Sequence, residues 1–298
     1  MSPMEEIPQT MDKPVLELIR DRYDALTRTE RRLADALLDN YPVAGLTSMT
    51  RLAESAGVST PSVLRMAQKL GFSGFPDLQA SLRAELEATI SNPIAKHDSW
   101  AEHAPNTHIL NRFADAVMQN MRETLGALDP QEFDAVRTRL ADRRRGLLIA
   151  GGRITHAVAQ YMFTHMQVIR ENVTLLPPNA NTWPHFVLNI REGDILVVFD
   201  IRRYENDTLK LAEMARSKGA SIILFTDRWG SPVSRFAESR FNVQIEAPSA
   251  WDSSVVTIFI VEALIAAVET EIWGVTSQRM KQLEGLFDET RLFRKARN

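Results

Sequence analysis

The hydrophobic pattern of this chain changes near Arg145, and the change confines it to two architectures joined in series. Beyond that point, short runs rich in apolar residues occupy residues 147–150, 173–176, 194–199, 221–226 and 241–245, and the first of them ends on Gly151-Gly152. Helical periodicity fills residues 155–169, 208–218 and 255–270. A strand that is apolar on both sides has no face for solvent. Such strands alternating with helices predict an α/β domain with a five-stranded, doubly wound parallel sheet. Before Arg145 the pattern is helical, with a period of about 3.6 residues. At 298 residues the chain has room for both parts.

The N-terminal part reads as all-α. Pro14 precedes Val15, Leu16, Leu18 and Ile19, the apolar side of a first helix. Thr27-Arg28-Thr29-Glu30 has the form of a capping box, in which hydroxyl and carboxylate satisfy free amides at a helix start. Leu33, Ala34, Leu37 and Leu38 share one face of the helix that follows, which is expected to stop before Tyr41-Pro42. Residues 91–108 hold two prolines and no period, the signature of a linker. The expected organisation is a helix-turn-helix domain over residues 1–90, this linker, an α/β domain over residues 109–275, and a helical tail over residues 276–298.

Residues 47–75 carry the first functional signal. Met49, Leu52 and Ala53 form the inner face of a short helix, and Gly57 is placed to end it in the left-handed conformation. Val58 packs between that helix and the next. Ser59 is placed as N-cap of the second helix, with Pro61 in its first turn and Val63, Met66, Ala67 and Leu70 as its apolar stripe. This is a helix-turn-helix. The second helix is expected to present Ser59, Thr60, Ser62, Arg65 and Lys69 to double-stranded DNA, with Arg65 able to fork onto guanine. Lys69, Ser73 and Gly74 are expected nearer the phosphates. The alternative is a small helical bundle with a polar outer face. The formal net charge of the chain, −3, does not suggest DNA binding, but residues 47–84 carry four cations against two anions.

Other function classes are narrowed by composition. The absence of cysteine excludes disulfides and thiolate chemistry. The first ten residues lack the form of a signal peptide, and the apolar stretch at 255–268 is short and interrupted by Glu262, so a cytoplasmic chain without membrane contact is expected. His156, His165 and His185 have no metal-ligand spacing, and no metal or cofactor is expected.

The phrases LTRTERRLADALLDN, Val58-Ser59, Lys69-Leu70-Gly71-Phe72 and Ser73-Gly74-Phe75-Pro76 make residues 15–86 resemble the N-terminal domain of the RpiR family of bacterial transcriptional regulators. The resemblance implies a sugar isomerase (SIS) domain as the second domain, a phosphosugar-type ligand at the carboxyl ends of its strands, and a homodimer or homotetramer. The general rule for open α/β sheets points to the same end.

Three loops converge there. Gly151, Gly152, Arg153 and Thr155 lie between a strand and a helix, where small residues, free amides and a cation suit an anion. Their alternative is a tight turn. Asp200, Arg202 and Arg203 stand roughly where SIS domains resembling this one carry a Ser-x-Ser-Gly-x-Thr phrase. Either the arginines replace hydroxyls as anion donors, or Asp200 pairs with an arginine and the pocket is filled or retuned. Thr226 and Asp227 end the fourth apolar run, and Ser231-Pro232 is expected to cap the next turn.

The leading reading is a regulator that senses a small anionic metabolite and alters operator binding. A sugar-phosphate isomerase is the enzymatic alternative, with Glu262 or Glu205 as base. A SIS domain that only dimerises is the third.

Overall fold

Short amphipathic helices must bury their apolar stripes against one another. In the computed structural model of the protein, which describes residues 13–39, 41–90 and 108–292, two compact units form, Met1–Asn92 and Pro93–Asn298. The proposed linker, apart from His108, lies outside the described residues, as does the end of the tail.

The first unit contains α1 (Val15–Asp21), α2 (Arg28–Asp39), α3 (Met49–Ala56), α4 (Thr60–Lys69) and α5 (Phe75–Ile90). Ile19, Leu33, Leu37, Leu52, Val63, Met66, Leu70 and Leu82 meet in its core. The capping box forms: the Thr27 amide donates to the Glu30 carboxylate at 2.8 Å, and the Glu30 amide to the Thr27 hydroxyl at 3.4 Å. The start of α1 is capped from a distance, since the Val15 amide donates to the Glu85 carboxylate of α5 at 2.8 Å.

The second unit opens with α6 (Ile109–Ala127) and α7 (Pro130–Ala141) and then alternates. Its further elements are β1 (Leu147–Gly151), α8 (His156–Ile169), β2 (Val173–Leu175), α9 (Trp183–Leu188), β3 (Ile195–Phe199), α10 (Asn206–Ser217), β4 (Ser221–Asp227), β5 (Ser239–Val243), α11 (Val255–Glu271) and α12 (Trp273–Thr290). All strand pairs are parallel, in the order β2-β1-β3-β4-β5. Strands β1, β3 and β4 are buried throughout; β1 and β3 are apolar along their length, and β4 carries Ser221, Thr226 and Asp227 at its ends. Leu148, Leu196, Val198, Ile222 and Leu224 pack with Trp183 and Val187 of α9 and with Leu211 and Ala215 of α10. The opposite face is covered by α8, against which α11 packs. The chain winds one way from β1 to β2 and the other way from β3 onward, so the crevice between the β1 and β3 ends is the switch point of the sheet.

Two elements depart from the sequence reading. Strand β5 starts and ends two residues earlier than expected. Helix α9 has no clear sequence signal, because its short run follows a segment rich in proline and asparagine and Pro184 occupies its first turn.

Arg170, at the end of α8, has no exposed surface. Its guanidinium donates to the carbonyls of Leu140 at 2.6 Å, Glu171 at 3.2 Å and Arg145, joining α7, α8 and the approach to β1. Burial lowers its pKa, a pull opposed chiefly by the Glu171 and Asp142 carboxylates. Arg170→Leu leaves these carbonyls without their donor. Urea unfolding should show a loss on the order of 3 kcal/mol, whereas a loss within error would mean that water replaces the guanidinium.

Candidate functional site

The first candidate surface is the outer side of α4. Gly57 closes α3 with φ 61° and ψ 42°, and its amide returns to Ala53 and Glu54. This sharp reversal sets α4 across α3. Ser59 is the N-cap by backbone conformation, but its hydroxyl lies 3.0 Å from the Ser62 hydroxyl instead of capping an amide. Thr60 is half-buried, while Ser59 and Arg65 are exposed.

Two residues expected on the DNA side are diverted. Ser62 is buried and meets both Ser59 and the Arg65 guanidinium, the latter at 3.0 Å. Position 62 follows Pro61 by one helical step of about 100°, which carries it off the outer face toward the core. Lys69 donates to the Ala25 carbonyl at 2.7 Å and to Glu30 Oε2 at 3.0 Å, so its charge is spent inside the unit. The Ser73 amide and hydroxyl both reach Asp77 Oδ2, at 2.9 Å and 3.1 Å, and the Gly74 carbonyl accepts from Leu78. The exposed positions of α4 are instead Pro61, Leu64, Arg65 and Gln68. Leu64 and Gln68 carry neither a hydroxyl nor a charge, and only their helical spacing from Arg65 places them on this face.

The second candidate surface is the crevice at the sheet's switch point. Thr155 ties its two sides: its hydroxyl accepts from the Gly152 amide at 2.9 Å and donates to the Phe199 carbonyl at 2.7 Å. The Arg153 amide, which a free anion would seek, donates to Glu205 Oε1 at 2.9 Å. A methyl group on Gly152 would stand 2.7 Å from that same oxygen, so glycine there admits the Glu205 carboxylate. The cradle is filled by the protein's own anion. The Arg153 and Arg203 side chains are exposed, one on each loop.

Arg202 is not at the surface. Its side chain is 8% exposed, with Nε 2.9 Å from Asp252 and Nη2 3.8 Å from Glu246. Its guanidinium carbon lies 4.2 Å from the centre of the Trp229 ring. Arg202 and Arg203 both adopt left-handed backbone, with φ 38° and 53°. The contact that holds this turn is the Arg202 amide on Asp227 Oδ2 at 2.6 Å.

Asp227 has no exposed surface and also accepts from the Tyr204 hydroxyl at 2.6 Å and the Trp229 amide at 3.0 Å. Burial raises its pKa against the pull of these donors. Among the described contacts, Asp200 pairs with no arginine. It accepts from the Ser231 hydroxyl and, at 3.4 Å, from the Glu205 amide. Burial pushes its pKa up to about 7; the two hydrogen bonds oppose this and the Asp227 and Glu205 charges add to it. Thr226 is buried and accepts from the Ser231 amide at 2.9 Å, so it faces the interior instead of the crevice. Ser231 caps the turn at Pro232 through the Val233 amide, as expected.

Glu262, a nominated base, is exposed on α11 and accepts from the Tyr161 hydroxyl at 2.6 Å. Among the described residues no group of three or more His, Cys, Asp or Glu could hold a metal ion, and no helix is long and apolar enough to cross a membrane.

Residues 13–89 match the family described as "Helix-turn-helix domain, rpiR family", and residues 139–267 match the SIS domain. The transcriptional regulator HexR of Pseudomonas aeruginosa is 28% identical over 229 residues, covering 75% of this chain and 76% of that protein. The Escherichia coli regulator RpiR is 24% identical over 222 residues, covering 74% of this chain and 73% of its own. Among solved structures, the sugar isomerase domain of an RpiR transcription factor from Sphaerobacter thermophilus has a TM-score of 0.55 at 20% identity, over 59% of this chain and 97% of that one. The Vibrio vulnificus NanR protein, complexed with ManNAc-6P, has a TM-score of 0.53 at 15% identity, over 94% of this chain and all of its own. These two structures share the fold.

The raised pKa of Asp200 has a sign that stability measurements read. An aspartate in the unfolded chain titrates near ~3.9, so between that value and about 7 the folded chain holds the extra proton. The contribution of Asp200 to stability is fully present below this window, falls as pH rises through it, and is lost above it. Asp200→Asn should flatten the dependence of unfolding free energy on pH there, leaving the share due to Asp227. Denaturant titrations across the window check this; a slope equal to that of the parent protein would refute it.

Proposed function

The chain belongs to the RpiR family of helix-turn-helix transcriptional regulators with a SIS domain, and we propose that its SIS unit senses a small anionic metabolite and thereby alters operator binding. The observation that carries the DNA half is the geometry of α3, the Gly57 turn and α4, which leaves Arg65 on an exposed helical face behind Ser59 and Thr60. A helix so presented enters the major groove by its first turns. A homodimer or homotetramer places such helices on half-sites, and the natural compartment is the cytoplasm. The wild-type protein should prefer an enriched duplex over bulk competitor, and Arg65→Ala should weaken that preference about tenfold or more.

The ligand half rests on the crevice. Arg153 and Arg203 offer guanidinium groups on opposite loops, and Glu205 occupies the amide between them. A sugar phosphate or related acid is received by the two arginines and exchanges with the Glu205 carboxylate at the Arg153 amide. Ligand then favours one arrangement of the loops, which is the differential affinity that linkage to DNA binding requires. The isomerase reading is weaker, because a base must be free beside the substrate. Glu205 is engaged by an amide, and Glu262 is exposed and bonded to Tyr161.

Thermal-shift titration with sugar phosphates and inorganic phosphate tests the sensing half. The parent protein should be stabilised, replacement of Arg153 and Arg203 by alanine should abolish the shift, and Glu205→Gln should enlarge it. A double-alanine variant that shifts as the parent does refutes this site.

A further inference from the structure

The outer face of α4 carries two residues that neither phosphate contact nor internal packing accounts for. The buried stripe of the helix is Val63, Met66, Ala67 and Leu70. Directly opposite lie Pro61, Arg65 and Gln68, with Leu64 at their side. Leu64 is 38% exposed although it is a large apolar residue on a short polar helix. It leans on the loop before α5, where a Cβ at Gly74 would be 3.8 Å from its Cδ1, and the rest of its surface faces outward beside Gln68. Gln68 is exposed, and its side chain takes part in none of the described hydrogen bonds, although its backbone carbonyl accepts from the Gly71 amide at 3.0 Å.

We propose that Leu64 and Gln68 are base-reading residues, Leu64 contacting a thymine methyl group and Gln68 pairing with an adenine edge, so that each half-site contains an A·T-rich core beside the base read by Arg65. This inference rests on α4 entering the groove. A glutamine amide matches the adenine pattern of acceptor and donor in the major groove, and an apolar side chain gains from the thymine methyl, which cytosine lacks. Leu64 and Gln68 are one helical turn apart, about 6 Å along the axis, or one to two base steps of about 3.4 Å. The exposed Arg51 and Arg83 in the same unit supply cationic charge for a phosphate backbone without fixing the sequence.

The test uses the full-length protein and a duplex enriched by it from a random library. Each thymine of the enriched site is replaced in turn by uracil, which removes only the methyl group. At one or two thymines per half-site the parent protein should lose about fourfold in affinity, the weight of one methyl kept from water. Leu64→Ala should bind thymine and uracil equally at those positions, with an unchanged salt dependence. Gln68→Ala should lose at least about fivefold of the preference for one adenine while keeping the thymine effect. Selective binding by the parent protein that is indifferent to every uracil, or a Leu64→Ala variant that keeps the parent's thymine effect, overturns the assignment and leaves the DNA-binding reading standing. Absence of any enriched sequence overturns both.

Discussion

A carboxylate with no path to water organises the ends of the strands. Taking an ion such as Asp227 out of solvent costs several kcal/mol unless donors surround it, and the chain supplies them from two directions. The Arg202 amide and Tyr204 hydroxyl come from the loop after β3, and the Trp229 amide from the turn after β4. Satisfying this one group therefore fixes both loops, including two consecutive arginines in a backbone conformation that ordinary residues resist by roughly 1–2 kcal/mol each. The Arg202 side chain then falls onto Trp229, Asp252 and Glu246, and only Arg203 points outward. The charge pattern of the crevice follows from where the buried acid sits.

A similar economy shapes the helical unit. Glu30 begins as one half of a capping box and ends as the partner of Lys69, so the last turn of α4 is fastened to the first turn of α2. Burial works to raise the Glu30 pKa, but the Thr27 amide and hydroxyl and the Lys69 ammonium hold it below its usual range. A cation that sequence alone assigns to DNA is thus committed to orienting the helix. What remains on the outer face of the helix is Arg65 among the uncharged Pro61, Leu64 and Gln68.

The layers and most elements were legible because they depend on period and punctuation. The capping box at Thr27, the left-handed Gly57 and the apolar strands are local rules, and the structure obeys them. The side chains of the candidate site were less legible, since their positions depend on partners distant in sequence. Nothing near Arg202 announces Asp252 or Trp229, and nothing near Gly152 announces Glu205. Helix α9 was hidden for a different reason: too short for a period to show, it is held by Trp183 and Val187 against the sheet.

Beneath the crevice, Phe199, Phe225 and Phe241 stand in register on adjacent strands, with ring centres 4.6 Å and 4.8 Å apart. Such a stacked row resists shear, because sliding one strand past the next would part the rings. The rings therefore hold β3, β4 and β5 in one register, and the loops that follow β3 and β4 stand on a common apolar floor.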